Sequence, residues 1–201
     1  MPGKTGSLED GDREMNFAWY SRMTSDELDE ALTSIDGHRH KWSVPQGKLN
    51  PVAWQRQRRQ RGGALNKTSS DVIGTIERPF LQVIGDHMAS KASYLNGRVL
   101  IVGDALATIR PHTGLGVSTG AFHALHLEKV LFGSKYSSKS PAAHMRDWET
   151  VVLDHSYMEY LKSISWGEYY LGSWFSWLVA AGNYHGRVKA REWQTWLSKF
   201  F

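Results

Sequence analysis

Residues 97–127 read GRVLIVGDALATIRPHTGLGVSTGAFHALHL, and the rest of the chain is interpreted outward from them. Val99-Leu100-Ile101-Val102 is an apolar run of the length of a buried strand. Gly103-Asp104 stands at its end. Arg110-Pro111-His112-Thr113-Gly114-Leu115-Gly116 is a loop rich in Pro and Gly, and a helical pattern follows. A strand, an acidic residue, a Gly-rich turn and a helix together suit a bound cofactor. The Asp104 carboxylate accepts hydrogen bonds from sugar-type hydroxyls. Glycines let backbone N–H groups approach a ligand, and a helix N-terminus favours negative charge or a polarised carbonyl. The alternative is an ordinary strand–helix turn in which Asp104 makes a local hydrogen bond.

Downstream, Gly120, Ala124, Leu127 and Leu131 recur at helical spacing and predict the packed face of the helix after Gly116. Residues 133–141 are a Ser/Lys-rich connector. Leu153, Tyr157, Tyr160, Leu161 and Ile164 give the next helix an apolar face. Gly167, Gly172, Gly182 and Gly186 punctuate an aromatic-rich C-terminus.

Upstream, residues 1–13 are a loose tail, and Met15 to Met23 has strand character. Ser25 is the expected N-cap of a short helix with Leu28 and Leu32 on one face. Asp36-Gly37 signals a turn, and Arg39 to Val44 a second strand that Pro45 and Gly47 end. Pro51 to Arg61 is a helix with Pro in its first turn, closed by Gly62-Gly63. A further helix is expected over Ser69–Glu77, then strands over Phe80–Ile84 and Arg98–Val102. The fold class is α+β: an antiparallel substrate-domain sheet, one strand–loop–helix segment and C-terminal helices.

Gly103-Asp104-Ala105, Pro111 seven residues after the Asp, Gly114-x-Gly116 and the following helix resemble the flavin signature of class A FAD-dependent aromatic monooxygenases. Arg110-Pro111-His112 narrows the resemblance to the branch that includes dihydroxypyridine hydroxylase. Asn16-Phe17-Ala18-Trp19-Tyr20, Trp42 to Lys48 and Arg78-Pro79-Phe80-Leu81-Gln82 resemble further segments of that branch, in the same order. The chain departs from the broader pattern at Leu106-Ala107, at Ser118 and at His123, where an acidic residue is usual.

The resemblance implies a set of roles. Asp104 binds the ribityl chain of FAD, and Gly103, Pro111, Gly114 and Gly116 shape the wall beside the flavin. His112 is the candidate catalytic residue; a hydrogen-bonded structural histidine is the alternative. NAD(P)H is the reductant, and the substrate is an aromatic or N-heterocyclic small molecule that the enzyme hydroxylates. Such enzymes begin with a strand–GxGxxG–helix unit for the ADP half of FAD. Here the early glycines, Gly3, Gly6 and Gly11, lie in a charged stretch. The chain is therefore expected to correspond to the C-terminal portion of such an enzyme, with the N-terminal Rossmann unit missing. The expected segments are a partial substrate-binding domain over 14–95, the second flavin-binding segment over 96–133 and the helices over 142–201. Partners would be a complementing N-terminal chain or a second copy. A truncated, non-catalytic relative, partner-binding or vestigial, is the competing function.

Composition sets outer bounds. With 201 residues, 41% hydrophobic, and with nine Trp, eight Tyr and seven Phe, the chain has material for a core. It has no Cys, which excludes disulfides and thiolate sites. The nine His are scattered, and His38 and His40 lack a third partner for a metal. The net charge of +4 is local to Arg56, Arg58, Arg59, Arg61 and Lys67. These residues spread around a helix as a solvated face. No nucleic-acid motif accompanies them, so a basic binding module ranks below the other readings. Leu171 to Ala181 is too short to span a bilayer. A cytoplasmic setting is the expectation.

Overall fold

The computed structural model describes residues 1–133 and 140–198, and it divides into two units, 1–82 and 83–201. The division falls ahead of the 95/96 segment border, because residues 87–94 pair with residues 99–108. The architecture mixes helices with small antiparallel ladders.

In the first unit, residues 13–24 have no regular structure, so the strand expected over 15–23 does not form. β-rich composition makes a strand only where a partner strand supplies a ladder. Helix α1 (Ser25–Leu32) is capped one residue earlier than expected. Thr24 Oγ1 accepts the Glu27 N–H, and Glu27 Oε2 accepts the Thr24 N–H at 2.8 Å. Leu32 is buried and Leu28 partly so. Gly37 takes φ +78° in the Asp-Gly turn. Strand β1 is only Ser43–Val44, and it pairs antiparallel with β2, Leu81–Gln82. Helix α2 (Pro51–Arg61) forms as expected, with Asn50 Oδ1 accepting the Val52 N–H at 2.9 Å. Helix α3 (Lys67–Gly74) starts two residues before and ends three before the expected span, because Asn66 supplies its cap. Leu32, Val44, Ala53 and Ile73 are buried in this unit.

In the second unit, β3 (His87–Met88) pairs with β6 (Ala107–Thr108), and β4 (Ser93–Tyr94) with β5 (Val99–Leu100), all antiparallel. The run 99–102 is therefore a short hairpin arm with its ends in solvent; Val102 is 42% exposed. Helices α4 (Gly116–Gly133), α5 (Pro141–Leu171) and α6 (Trp174–Leu197) complete the unit. The 133–141 connector lies mostly outside the described residues. Ala92, Leu106, Trp148 and Val152 form the core, with Leu100, Ile101, Phe122, Leu127 and Val130 packed on it. Glu149 Oε1 accepts the Ala92 and Ser93 N–H groups at 2.8 and 2.9 Å, which fixes β4 to α5.

Two helix faces differ from the apolar stripes of the sequence. On α4 the buried residues are Thr119 and His123, while Ala124 and Leu131 face solvent. On α5 the inward positions include Ser156, Ser163 and Gly167, and Tyr157 is exposed. Small side chains fit there because Arg110, His112 and His123 approach closely, a demand that hydrophobicity does not report.

Candidate functional site

The site begins where β5 ends. The Ile101 N–H bonds to Ala92 O at 2.9 Å, and the chain then enters a 3₁₀ turn over Gly103–Ala105. Gly103 has φ +58°, a left-handed conformation that favours glycine. Leu106 and Ala107 are buried beyond the turn, and the Ala89 N–H bonds to Leu106 O at 2.8 Å. The turn is thus held at its base and its Asp104 side chain stands in solvent.

A second 3₁₀ turn, Pro111–Thr113, is closed by Gly114 at φ +65° and leads into α4. The first bond of α4 runs from the Thr119 N–H to Leu115 O at 2.9 Å. The N–H groups of Gly116, Val117 and Ser118 therefore precede the helical ladder and point out of the helix start. A Cβ placed on Gly116 would lie 3.7 Å from Asp104 Oδ1. The carboxylate and the positive end of α4 are neighbours. Thr113 Oγ1 and Thr119 Oγ1, which flank this helix start, are buried without a hydrogen-bond partner among the described residues. Exposed carboxylate, free helix N–H groups and orphaned hydroxyls form a donor and acceptor set that fits a hydroxyl-rich, weakly anionic group.

His112 lies against α5. Its ring lies 6.1 Å from that of Tyr170 on α5. Burial, and secondarily the nearby Arg110 charge, hold its pKa below the ordinary histidine value.

Three features were not singled out in the sequence as site residues with these roles. Arg110 anchors the loop: its Nε donates to Asp86 Oδ2 at 2.6 Å and its Nη1 to Glu168 Oε1 at 3.0 Å. Burial alone would lower the pKa of this guanidinium, but the two carboxylates more than offset it. Gly167 lets α5 approach, since a Cβ there would stand 2.7 Å from Arg110 Cδ and 3.2 Å from His112 Cδ2. His123 is fully buried. Its Nδ1 accepts the Gly103 N–H at 3.0 Å, its Nε2 lies 2.8 Å from Ser156 Oγ, and its carbonyl accepts Trp148 Nε1 at 3.1 Å. Because an amide N–H only donates, Nδ1 carries no proton and Nε2–H donates to Ser156. One of the residues that depart from the family pattern, His123, thus ties the Gly103–Asp104 turn to α4 and α5. Asp86 and Glu168 lie far from Arg110 in sequence, so its motif carried no sign of these partners, whereas the unusual His at 123 was a signal.

Comparison with known proteins bears directly on this arrangement. A family described as FAD binding domain-like matches residues 1–86. The 2,6-dihydroxypyridine 3-monooxygenase of Paenarthrobacter nicotinovorans is 32% identical over 154 residues, which is 75% of this chain and 37% of that enzyme. Over 75% of its length the chain is a homologue of this 2,6-dihydroxypyridine 3-monooxygenase. The structure of 2,6-dihydroxypyridine-3-hydroxylase from Arthrobacter nicotinovorans superposes on this hydroxylase-like chain with a TM-score of 0.63 at 27% identity. The match covers 75% of this chain and 36% of that one. The chain thus spans just over a third of the length of these relatives. No helix among its described residues is long and apolar enough to cross a membrane.

Proposed function

We infer that this chain supplies the second flavin-binding segment of an FAD-dependent monooxygenase that hydroxylates an aromatic or N-heterocyclic small molecule, with NAD(P)H as reductant. One observation carries the reading: the exposed Asp104 carboxylate lies beside the open N–H groups that start α4. Asp104 would hold the ribityl hydroxyls. The N–H groups of Gly116 to Ser118 would face the polar edge of the ring, and Gly103, Pro111 and Gly114 would set the backbone path around it. FAD bound there would supply the redox and oxygen chemistry. Arg110, pinned by Asp86 and Glu168, keeps the loop closed on α5 and positions His112, the candidate for proton handling near the loop. Segment 14–95 contributes part of the substrate wall, 96–133 the flavin segment and 142–201 the supporting helices. The ADP half of FAD needs a GxGxxG turn, which these residues do not contain. A complementing N-terminal portion completes the site, in a cytoplasmic setting where NAD(P)H is available.

A second reading, a non-catalytic relative that acts by binding a partner or a second copy, is favoured by Trp174, Phe175 and Val179. These side chains are exposed together at the start of α6. The variant Asp104→Ala separates the two. It is to be tested in the chain joined to the GxGxxG-bearing portion of a relative, with FAD affinity read by flavin fluorescence. Loss of a charge-assisted hydrogen bond weakens binding by about 10- to 100-fold. Because Asp104 is exposed, the fold is retained. Unchanged affinity would refute the flavin assignment and leave the partner-binding reading.

A further inference from the structure

Helix α2 carries four arginines, and the structure sorts them into two pairs. Arg56 and Arg61 turn toward α1, where Glu30 accepts from Arg56 and Glu27 from Arg61, the latter at 2.7 Å. The Thr24 N–H and then the Arg61 guanidinium hold the Glu27 carboxyl below its ordinary range. This half of the basic helix is neutralised within its own unit.

Arg58 and Arg59 are not. With Gln55, Gly62, Ser70 and Ile73 they line an open, solvent-facing pocket of about 400 Å³ beside α2 and α3. Neither forms an ion pair with a described residue, and no carboxylate lines the pocket. Arg58 is half-buried, its guanidinium carbon 6.0 Å from the centre of the Trp54 ring, and its Nη2 would be 3.7 Å from a Cβ on Gly74. Its stem and head are therefore placed by packing rather than free to sweep through solvent. Ser70 and Gln55 add a hydroxyl and an amide to the wall. Two uncompensated guanidinium groups in a concavity raise the local potential and favour an anion. Their fork geometry matches paired phosphate oxygens. The volume is at the small end of the range for ligand sites and exceeds the needs of a single phosphate.

We propose that this pocket of the first unit binds a diphosphate group, either as the free anion or as part of a nucleotide. The test is calorimetric titration of the 201-residue chain at fixed ionic strength with pyrophosphate, ADP and, as the uncharged control, adenosine. Pyrophosphate and ADP are expected to bind and adenosine not. Tighter binding of ADP than of pyrophosphate identifies the nucleotide as the ligand, and equal binding the free anion. Arg58→Gln with Arg59→Gln weakens binding by about tenfold or more, whereas Arg56→Gln, already neutralised by Glu30, leaves it within about twofold. Arg58→Lys, which keeps charge and stem, retains part of the affinity. Circular dichroism checks each fold; if the double variant does not fold, Arg59→Gln alone decides, since that side chain is exposed. The proposal is overturned if neither anion binds at millimolar concentration. It is also overturned if Arg56→Gln weakens binding as much as the double variant, or if single-stranded RNA binds with all four arginines contributing equally.

Discussion

Trp148→Ala is expected to cost about 3–5 kcal/mol, the largest single-residue loss in the second unit. Trp148 is 1% exposed and is the largest fully buried side chain among the described residues. It fills the space between Ala92, Leu106 and Val152, so truncation leaves a cavity bounded by α4, α5 and the hairpin strands. It also removes the donor to His123 O, leaving a buried helix carbonyl without its second partner. Domains of this size are commonly stable by about 5–15 kcal/mol, so the loss is a large fraction of the total. Val117→Ala is the control: Val117 is 87% exposed, and its loss is expected within about 0.5 kcal/mol. Denaturant unfolding of the three proteins compares them directly. A Trp148→Ala loss below about 1 kcal/mol would mean that the core described for this unit is wrong.

Acid is expected to destabilise the same unit through His123. Burial first, then the neighbouring His155 and His126, push its pKa down to about 4. In the unfolded chain a histidine titrates near about 6.5. The unfolded state therefore binds the proton over a range where the folded state does not. The stabilising contribution of the neutral ring is complete above about pH 6.5 and falls away toward pH 4. It amounts to about 3 kcal/mol, with no further change from this group at lower pH. The geometry gives the loss a location: a proton on Nδ1 displaces the Gly103 N–H and loosens the turn that carries Asp104. His155, stacked on Phe122 with a ring separation of 3.7 Å, is shifted in the same direction, chiefly by burial, and adds to the slope. His123→Asn offers an acceptor near the Nδ1 position but does not titrate. Its stability at neutral pH is lower, and its decline between pH 6.5 and 4 is expected to be shallower than that of the parent. Parallel pH profiles for the two proteins would remove His123 from the account.

The legibility of the sequence varied with how local the determinants were. Helix α2 was readable to the residue because Asn50, Pro51 and Gly62 carry its ends within the chain itself. At α1 the capping box chose Thr24 over Ser25, since only Thr24 has Glu27 three residues on. Strands were over-read, because a two-residue ladder such as Ser43–Val44 with Leu81–Gln82 depends on a partner remote in sequence. The faces of α4 and α5 were misplaced where Ser156, Ser163 and Gly167 are buried for their size. At the candidate site, Asp104 and Gly116 were singled out with a motif, and the structure sets them side by side. Arg110 was visible only as part of a motif. Its carboxylate partners Asp86 and Glu168 come from separate elements that only the fold brings together.

The central claim is that the Gly103–Ala105 turn and the start of α4 form a flavin-binding edge. Amide chemical-shift mapping of the isotope-labelled chain, titrated with millimolar FMN, tests it most directly. FMN carries the ring and ribityl chain without the ADP half, and the method registers weak binding. The account predicts saturable shifts concentrated at Gly103, Asp104 and Ala105 and at Gly114 to Ser118. Saturable shifts elsewhere with these amides unmoved, or no saturable shift at all, would contradict it.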